Sequence, residues 1–170
     1  MRRASIAAAA GIAGAALGGC ASTGPVSRPG PDGATRVYEV AALRFEAPSS
    51  WRAAGDSRKV KLTAPPGDAT LEVRARPVQG GTEACLEDAA RALEQGAAGL
   101  TAVRRHPTTF AGRKAVAQEA DQGGWHGWAW ATCDRGEQYR VFLSGRAPVG
   151  KETIEVQRRL VQTARLEGKP

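Results

Sequence analysis

Residues 114–144 read KAVAQEADQGGWHGWAWATCDRGEQYRVFLS and carry the clearest strand pattern of the sequence. It contains three segments with the polar and apolar alternation of strands that bury one face. Gln122-Gly123-Gly124 and Asp134-Arg135-Gly136 separate the segments, and both sequences are typical of tight turns. The stretch therefore predicts three consecutive antiparallel strands, at residues 114–121, 125–133 and 138–144.

Further strands are predicted upstream of this stretch. Residues 103–110 form a fourth strand that leads into a turn at Ala111-Gly112-Arg113. Three earlier segments also alternate apolar and polar residues. Their apolar positions are Leu43 and Phe45, then Val60 and Leu62, and then Leu71, Val73 and Ala75.

Two segments have helical spacing instead. From Thr82, which is placed to cap a helix, apolar residues recur every three or four positions up to Leu100, with Gly99 near the end. Residues 151–166 place Val156, Leu160, Val161 and Ala164 on one stripe. The order β-β-β-α-β-β-β-β-α predicts an α+β domain, in which two main helices pack on an antiparallel sheet of about six to seven strands.

The order of elements and several short motifs resemble the PsbP-like superfamily, which includes photosystem PsbP proteins and bacterial lipoproteins of the LpqN and DcrB type. The resemblance covers most of residues 36–167. It implies a PsbP-like α+β domain at residues 36–168 and a non-catalytic binding or assembly role, with no functional residue carried over. The motifs are Phe45-Glu46-Ala47-Pro48-Ser49-Ser50-Trp51, Thr109-Phe110-Ala111-Gly112-Arg113-Lys114-Ala115, Tyr139-Arg140-Val141-Phe142-Leu143 and the terminal helix.

The N-terminus has the layout of a secretory signal. Arg2 and Arg3 precede an apolar stretch at residues 6–17, which is followed by Gly18-Gly19-Cys20. The stretch is shorter than the roughly 18 residues of a membrane-spanning helix. It resembles the lipobox of bacterial lipoproteins, in which diacylglycerol is attached to the cysteine and a peptidase cuts before it. We predict a lipoprotein signal peptide at residues 1–19 and lipidation of Cys20, the alternative being an ordinary signal peptide cut after Ala21.

The lipid anchor leads to a predicted location. Two acyl chains hold a protein stably on a bilayer, because each buried methylene contributes about 0.8 kcal/mol. The residue after Cys20 is Ala21 rather than Asp, which resembles the default signal for the outer membrane of Gram-negative bacteria. We expect a lipid-anchored protein of the cell envelope, on the outer membrane and facing the periplasm. Residues 20–35 are rich in proline and glycine, and we expect them to be the acylated cysteine and a flexible tether.

Cys85 and Cys133 are the remaining cysteines. Two cysteines in an oxidising compartment have one possible pairing, so we predict a disulfide between them. The alternatives are two buried free thiols or a metal site. In the chain-entropy description, closing a loop of this length stabilises the fold by about 4 kcal/mol.

The formal net charge is +7, and it falls to +5 when Arg2 and Arg3 leave with the signal peptide. The basic residues are spread along the chain without a run of like charges. Exported compartments hold little nucleic acid, so we expect no nucleic-acid partner. An anionic lipid or an envelope protein suits this charge better. The alternative is that the charges are simply solvated. No feature of the sequence indicates an oligomeric state.

Groups with catalytic potential are sparse. The sequence has no HExxH motif, P-loop, GxGxxG motif or paired-cysteine zinc motif, and no serine lies in a nucleophile elbow. His106 and His126 are the only histidines, and they lie on different predicted strands. We predict no enzyme activity, no cofactor and no metal site. Glu119 and Asp121 share a strand face and are the candidates for an unusual enzyme that acts on an envelope polymer.

Three tryptophans lie in one predicted strand. Alternation places His126, Trp128 and Trp130 on the same face, flanked by Arg140 on the neighbouring strand. One interpretation is the aromatic wall of a ligand groove. The other is that the tryptophans are core residues under a covering layer. The sequence thus predicts a membrane-tethered, non-enzymatic binding or assembly lipoprotein, with a carrier of a small apolar ligand between sheet and helix as the alternative.

Overall fold

The computed structural model describes residues 24–167, so the predicted signal peptide and Cys20 lie outside it. Neither helix in this part of the chain is long and apolar enough to cross a membrane. The helices are α1 (Thr82–Gln95) and α2 (Lys151–Thr163). The strands are β1 (Val26–Pro29), β2 (Thr35–Val40), β3 (Leu43–Pro48), β4 (Arg52–Gly55), β5 (Lys59–Thr63), β6 (Ala69–Pro77), β7 (Thr101–Phe110), β8 (Arg113–Gln122), β9 (Trp125–Asp134), β10 (Glu137–Arg146) and β11 (Arg165–Leu166).

The larger sheet has seven antiparallel strands in the order β4-β5-β6-β10-β9-β8-β7. Two-residue turns join β7 to β8, β8 to β9 and β9 to β10. Both residues of each turn have positive φ, and the second residues Gly112, Gly124 and Gly136 have φ of 76°, 82° and 77°. This is the pattern of type I′ turns, which match the twist of the strands they join. The antiparallel strands predicted around residues 114–144 are therefore confirmed.

A smaller sheet has four strands in the order β1-β2-β3-β11. The predicted α+β class with two helices is confirmed, but the single predicted sheet is in fact two. Strands β1, β2, β4 and β11 were absent from the predicted order. Every residue of β4 is exposed and β11 has only two residues, so neither shows a hydrophobic period. Pairing with a neighbouring strand defines such segments, and that pairing is non-local.

The main core lies between the two sheets and α2. Tyr38 and Phe45 stack in the small sheet with ring centroids 5.7 Å apart. Val141 from the large sheet and Leu160 from α2 belong to the same buried cluster, and both are fully buried. The face of the large sheet toward this core is called the inner face, and the opposite face is called the outer face.

Residues 24–35 differ from the predicted flexible tether. Strand β1 pairs antiparallel with β2, with Val26 opposite Glu39. In the turn between them, Asp32 accepts hydrogen bonds from the Thr35 amide and hydroxyl at 3.0 and 2.7 Å. The tether was predicted from proline and glycine content, but Pro29 lies on an edge strand, where a missing N–H is tolerated. The folded part therefore begins upstream of the predicted boundary at residue 36.

Both helices end earlier than their apolar spacing predicts. Helix α1 ends at Gln95, and Gly81 rather than Thr82 occupies the N-cap position. Helix α2 ends at Thr163, after which Leu166 pairs with Leu43 in the small sheet. Leu166 is buried in this short strand, whereas Val161 of the predicted apolar stripe is 39% exposed.

Helix α1 covers part of the outer face. Cys85 in its first turn is bonded to Cys133 on β9, with 6.2 Å between the two Cα atoms, which confirms the predicted disulfide. A second, smaller core lies under the helix. In it Ala89 and Leu93 pack with Ala129 and with Ala131, and these small side chains allow a close approach of helix and sheet.

Candidate functional site

A groove lies between the C-terminal half of α1 and the outer face of β8, β9 and β10. Its volume is about 450 Å³, which is within the range of small-molecule sites. The helix supplies one wall and the three strands supply the floor. The apolar residues that line it are Ala92, Leu93, Leu100, Ala120, Trp125, Trp128, Ala129, Phe142 and Leu143.

Polar groups occupy defined positions in this groove. Gln118 is buried in the floor, and its Oε1 accepts hydrogen bonds from Arg105 at 3.1 and 2.8 Å. At the other side, the Ser144 hydroxyl lies 3.0 Å from that of Thr70. Arg140 lies at the end nearest β6. A mostly apolar groove with a few fixed polar groups is the usual composition of a small-molecule site.

Two aromatic residues of the groove were not singled out as its lining from the sequence. Phe142 is 38% exposed, and its partner across the β9–β10 pair is Ala129. It lies on the outer face of β10, where the alternate residues Gln138, Arg140 and Ser144 are all polar. An aromatic residue among the polar residues of one strand face is a sequence signal for a binding surface, and Phe142 is such a residue. Trp125 lies on the outer face of β9 and is half-buried.

Of the predicted binding face of His126, Trp128, Trp130 and Arg140, the residues His126, Trp128 and Arg140 border the groove and Trp130 does not. Trp130 is 7% exposed and stacks on Phe110 in the main core, with ring centroids 5.7 Å apart. Trp128 is half-buried and packs against the same core. Arg140 pairs with Ala131, so it faces the outer side, away from the other three residues. A residue on a neighbouring strand shares a face only when the register places it there, so the side chain of Arg140 approaches the groove from the outer side.

His126 lies between two carboxylates at the edge of the inner face. Its Nδ1 is 2.6 Å from Asp121 Oδ1, and its Nε2 is 3.0 Å from Glu119 Oε1. The ring also contacts Trp128 edge-on, with centroids 4.4 Å apart. Both ring nitrogens therefore have partners, and Glu119 and Asp121 are joined through the histidine. Within residues 24–167, no group of three or more His, Cys, Asp or Glu side chains is arranged to hold a metal ion.

Solved structures share this architecture at low sequence identity. PsbP (CyanoP) from Synechocystis sp. PCC 6803 aligns with a TM-score of 0.54 and 13% identity, over 88% of this chain and 96% of that chain. The fold is PsbP-like. The resemblance predicted from the sequence motifs is thereby confirmed at the level of the fold.

Two further structures align with this PsbP-like domain. A protein from Bacteroides thetaiotaomicron aligns with a TM-score of 0.50 and 10% identity, over 86% of this chain and 50% of that chain. LpqN of Mycobacterium tuberculosis, described as involved in cell envelope biogenesis, aligns with a TM-score of 0.49 and 11% identity, over 74% of this chain and 83% of that chain. No family model and no curated protein matches the sequence. The PsbP-like fold hosts different functions, so the site itself must carry the functional argument.

Proposed function

We propose that the protein is a membrane-tethered, non-enzymatic binding lipoprotein of the bacterial envelope, and that the groove beside α1 holds a small, largely apolar ligand. The observation that carries the proposal is the groove itself, an apolar cavity of about 450 Å³ between α1 and the sheet. Its walls are held by the Cys85–Cys133 disulfide and by the second core. A cavity whose walls are fixed can bind a ligand without first ordering a loop, which keeps the entropic cost of binding small.

The chemistry of the described residues supports binding rather than catalysis. Both cysteines of residues 24–167 are in the disulfide, so neither is available as a nucleophile. Both nitrogens of His126 contact carboxylates, so its ring has no hydroxyl or thiol to activate through them. The groove is lined by aliphatic, aromatic, imidazole, hydroxyl, amide and guanidinium groups, with no carboxylate among its lining residues. Recognition of an apolar ligand needs nothing more.

Native mass spectrometry of the full chain, extracted gently from envelopes, tests the binding function. We expect a retained ligand on the wild type. Ala92 on α1 is half-buried and lines the groove, so Ala92→Phe should fill the groove and abolish the retained mass. Ala90 is half-buried on the same helix but does not line the groove, so Ala90→Phe should retain the ligand. An unliganded wild type, or equal retention by both variants, would overturn the binding function.

Metabolic labelling with a palmitate analogue tests the tether. The proposal of a lipid anchor is supported by the apolar stretch at residues 6–17 and by Gly18-Gly19-Cys20. The wild type should incorporate the label and fractionate with membranes, whereas Cys20→Ala should do neither. Cys85→Ala offers a matched control, because it removes a different cysteine and should leave labelling intact. Equal labelling of the wild type and Cys20→Ala would remove the anchor from the proposal.

A further inference from the structure

The apolar groove opens into a wider, basic concavity on the same face of the sheet. This second cavity has a volume of about 820 Å³ and lies over β5, β6 and β10. Arg140, Phe142 and Ser144 line both cavities, so the two are continuous. The outer face therefore presents one elongated site, which is apolar beside α1 and polar beyond Arg140.

The polar end carries an excess of positive charge. Two acidic side chains line it, Asp56 and Glu72, against six basic ones. The basic residues are Arg58, Lys59, Lys61, Arg74, Arg76 and Arg140. A concave surface with an excess of one sign of charge attracts a ligand of the opposite sign.

Arg140 is held in position by a buried amide. Gln138 is fully buried, and its Oε1 accepts hydrogen bonds from Arg140 Nε at 2.6 Å and from Arg76 Nε at 2.9 Å. One oxygen thus fixes two guanidinium groups side by side. The amide nitrogen of Gln138 donates to the carbonyl oxygen of Cys85 and to Asp88 Oδ2, each at 3.3 Å, which sets the orientation of the amide.

Arg140 also lacks a counter-charge. Within residues 24–167, no carboxylate lies at salt-bridge distance from it, whereas Arg74 is paired with Glu72 and Arg76 with Asp88. Burial, and then the neighbouring charge of Arg76, lower the pKa of Arg140. A half-buried guanidinium beside another cation is stabilised when an anion binds between them. The terminal N–H groups of Arg140 are the donors that such an anion would use.

We infer that the ligand is a single-chain anionic lipid, with its acyl chain in the groove and its phosphate head group against Arg140 and Arg76. The inference rests on the proposed function of the groove and adds the chemical class of the ligand. One chain rather than two fits a groove of about 450 Å³, which is toward the lower end of ligand-site volumes. A phosphate suits the paired guanidinium groups, because arginine binds phosphate oxygens in a bidentate way.

Calorimetric titration of the full chain carrying Cys20→Ala, purified without detergent, tests the inference. The probes are palmitoyl lysophosphatidic acid, the uncharged monopalmitoyl glycerol and inorganic phosphate, with each lipid below its micelle concentration. We expect the phosphate lipid to bind at least about tenfold more tightly than the neutral lipid, the size of one charge-assisted hydrogen bond. Inorganic phosphate alone should bind far more weakly than either lipid, because it gains nothing from the apolar groove.

Variants at the polar end complete the test. Arg140→Gln should reduce the affinity for the phosphate lipid by about tenfold and leave that for the neutral lipid unchanged. Arg158→Gln removes the same charge from an exposed position on α2 and should change neither affinity. If Arg140→Gln fails to fold, Arg76→Gln replaces it with the same expectation, because its side chain is 52% exposed.

The outcomes separate the two proposals. Equal binding of both lipids, with no effect of Arg140→Gln, would overturn the anionic head group while leaving the groove function in place. Tight binding of inorganic phosphate alone would overturn the lipid. Absence of binding by every probe would overturn the ligand class, whereas the binding function itself is decided separately by the Ala92→Phe and Ala90→Phe pair.

Discussion

The guanidinium of Arg159 on α2 lies 2.9 Å from the carboxylate of Asp32 in the turn between β1 and β2. The pair connects the first strands of the described chain to the last helix. The hydrogen bond from the Thr35 hydroxyl, followed by that from Arg159, lowers the pKa of Asp32 from 3.8 to about 2. The carboxylate therefore favours the folded state wherever it is ionised.

Asp32→Asn should lower the free energy of unfolding at neutral pH and have a much smaller effect near pH 2. A carboxylate with a depressed folded pKa stabilises above its unfolded pKa, about 3.9, and that stability is lost as the pH falls through the folded value. Urea unfolding between about pH 2 and pH 7 measures the difference. Asp68→Asn, at an exposed turn position, is the matched control and should show no such trend. A difference that persists undiminished at about pH 2 would contradict the assigned role of Asp32.

Trp130→Ala should destabilise the fold by about 3–5 kcal/mol, because it removes a large side chain from the main core. Trp130 is 7% exposed and stacks on Phe110. Trp125→Ala should cost clearly less, since that side chain is half-buried on the outer face. Chemical denaturation of the two variants provides the comparison. A folded Trp130→Ala variant of wild-type stability would return the tryptophan to the candidate binding surface.

Replacing both Cys85 and Cys133 with serine should lower stability by about 2–5 kcal/mol. The bond closes a loop with a sequence separation of 48 and fastens the first turn of α1 to β9. Because α1 forms one wall of the groove, hydrogen exchange of its amides should also accelerate. Cys85→Ser and Cys133→Ser singly are the controls, and each should match the double variant. Unchanged exchange in α1 would mean that the second core alone holds the helix.

Glu119→Gln and Asp121→Asn should each change the free energy of unfolding by less than about 1 kcal/mol. Their side chains are 36% and 46% exposed, so solvent screens their contacts with His126. Neither variant should alter binding of a ligand in the outer groove, because both residues face the inner side of the sheet. Loss of a hydrolytic activity on envelope polymers in either variant would instead support the enzyme interpretation.

Local signals predicted most of the fold. The turns at Gly124 and Gly136 and the alternation between them specify the antiparallel strands, and the small residues of α1 follow a helical period. What the sequence left undetermined was non-local pairing. Strand β1 and strand β11 exist because they pair with β2 and β3, and their own residues show no decisive period.

The candidate site was harder to predict than the fold. The sequence indicated the tryptophan-rich strand as a possible ligand-binding wall, but Trp130 lies in the main core and Trp128 packs against it. Arg140 was predicted to flank the face of His126, Trp128 and Trp130, whereas the register of β9 and β10 places its side chain on the opposite face. The elongated site depends on which side of the sheet α1 covers and where it stops, and these are properties of tertiary packing.

The pairing of β6 with β10 makes the elongated site a product of two distant parts of the chain. Ala75 lies opposite Tyr139 across this seam. Residues before α1 supply most of the cationic end, while α1 and the strands after it supply the apolar end. The two ends can therefore be altered separately. In an evolving or engineered protein, substitutions on β5 and β6 can change the preference for a head group while the apolar end keeps its shape.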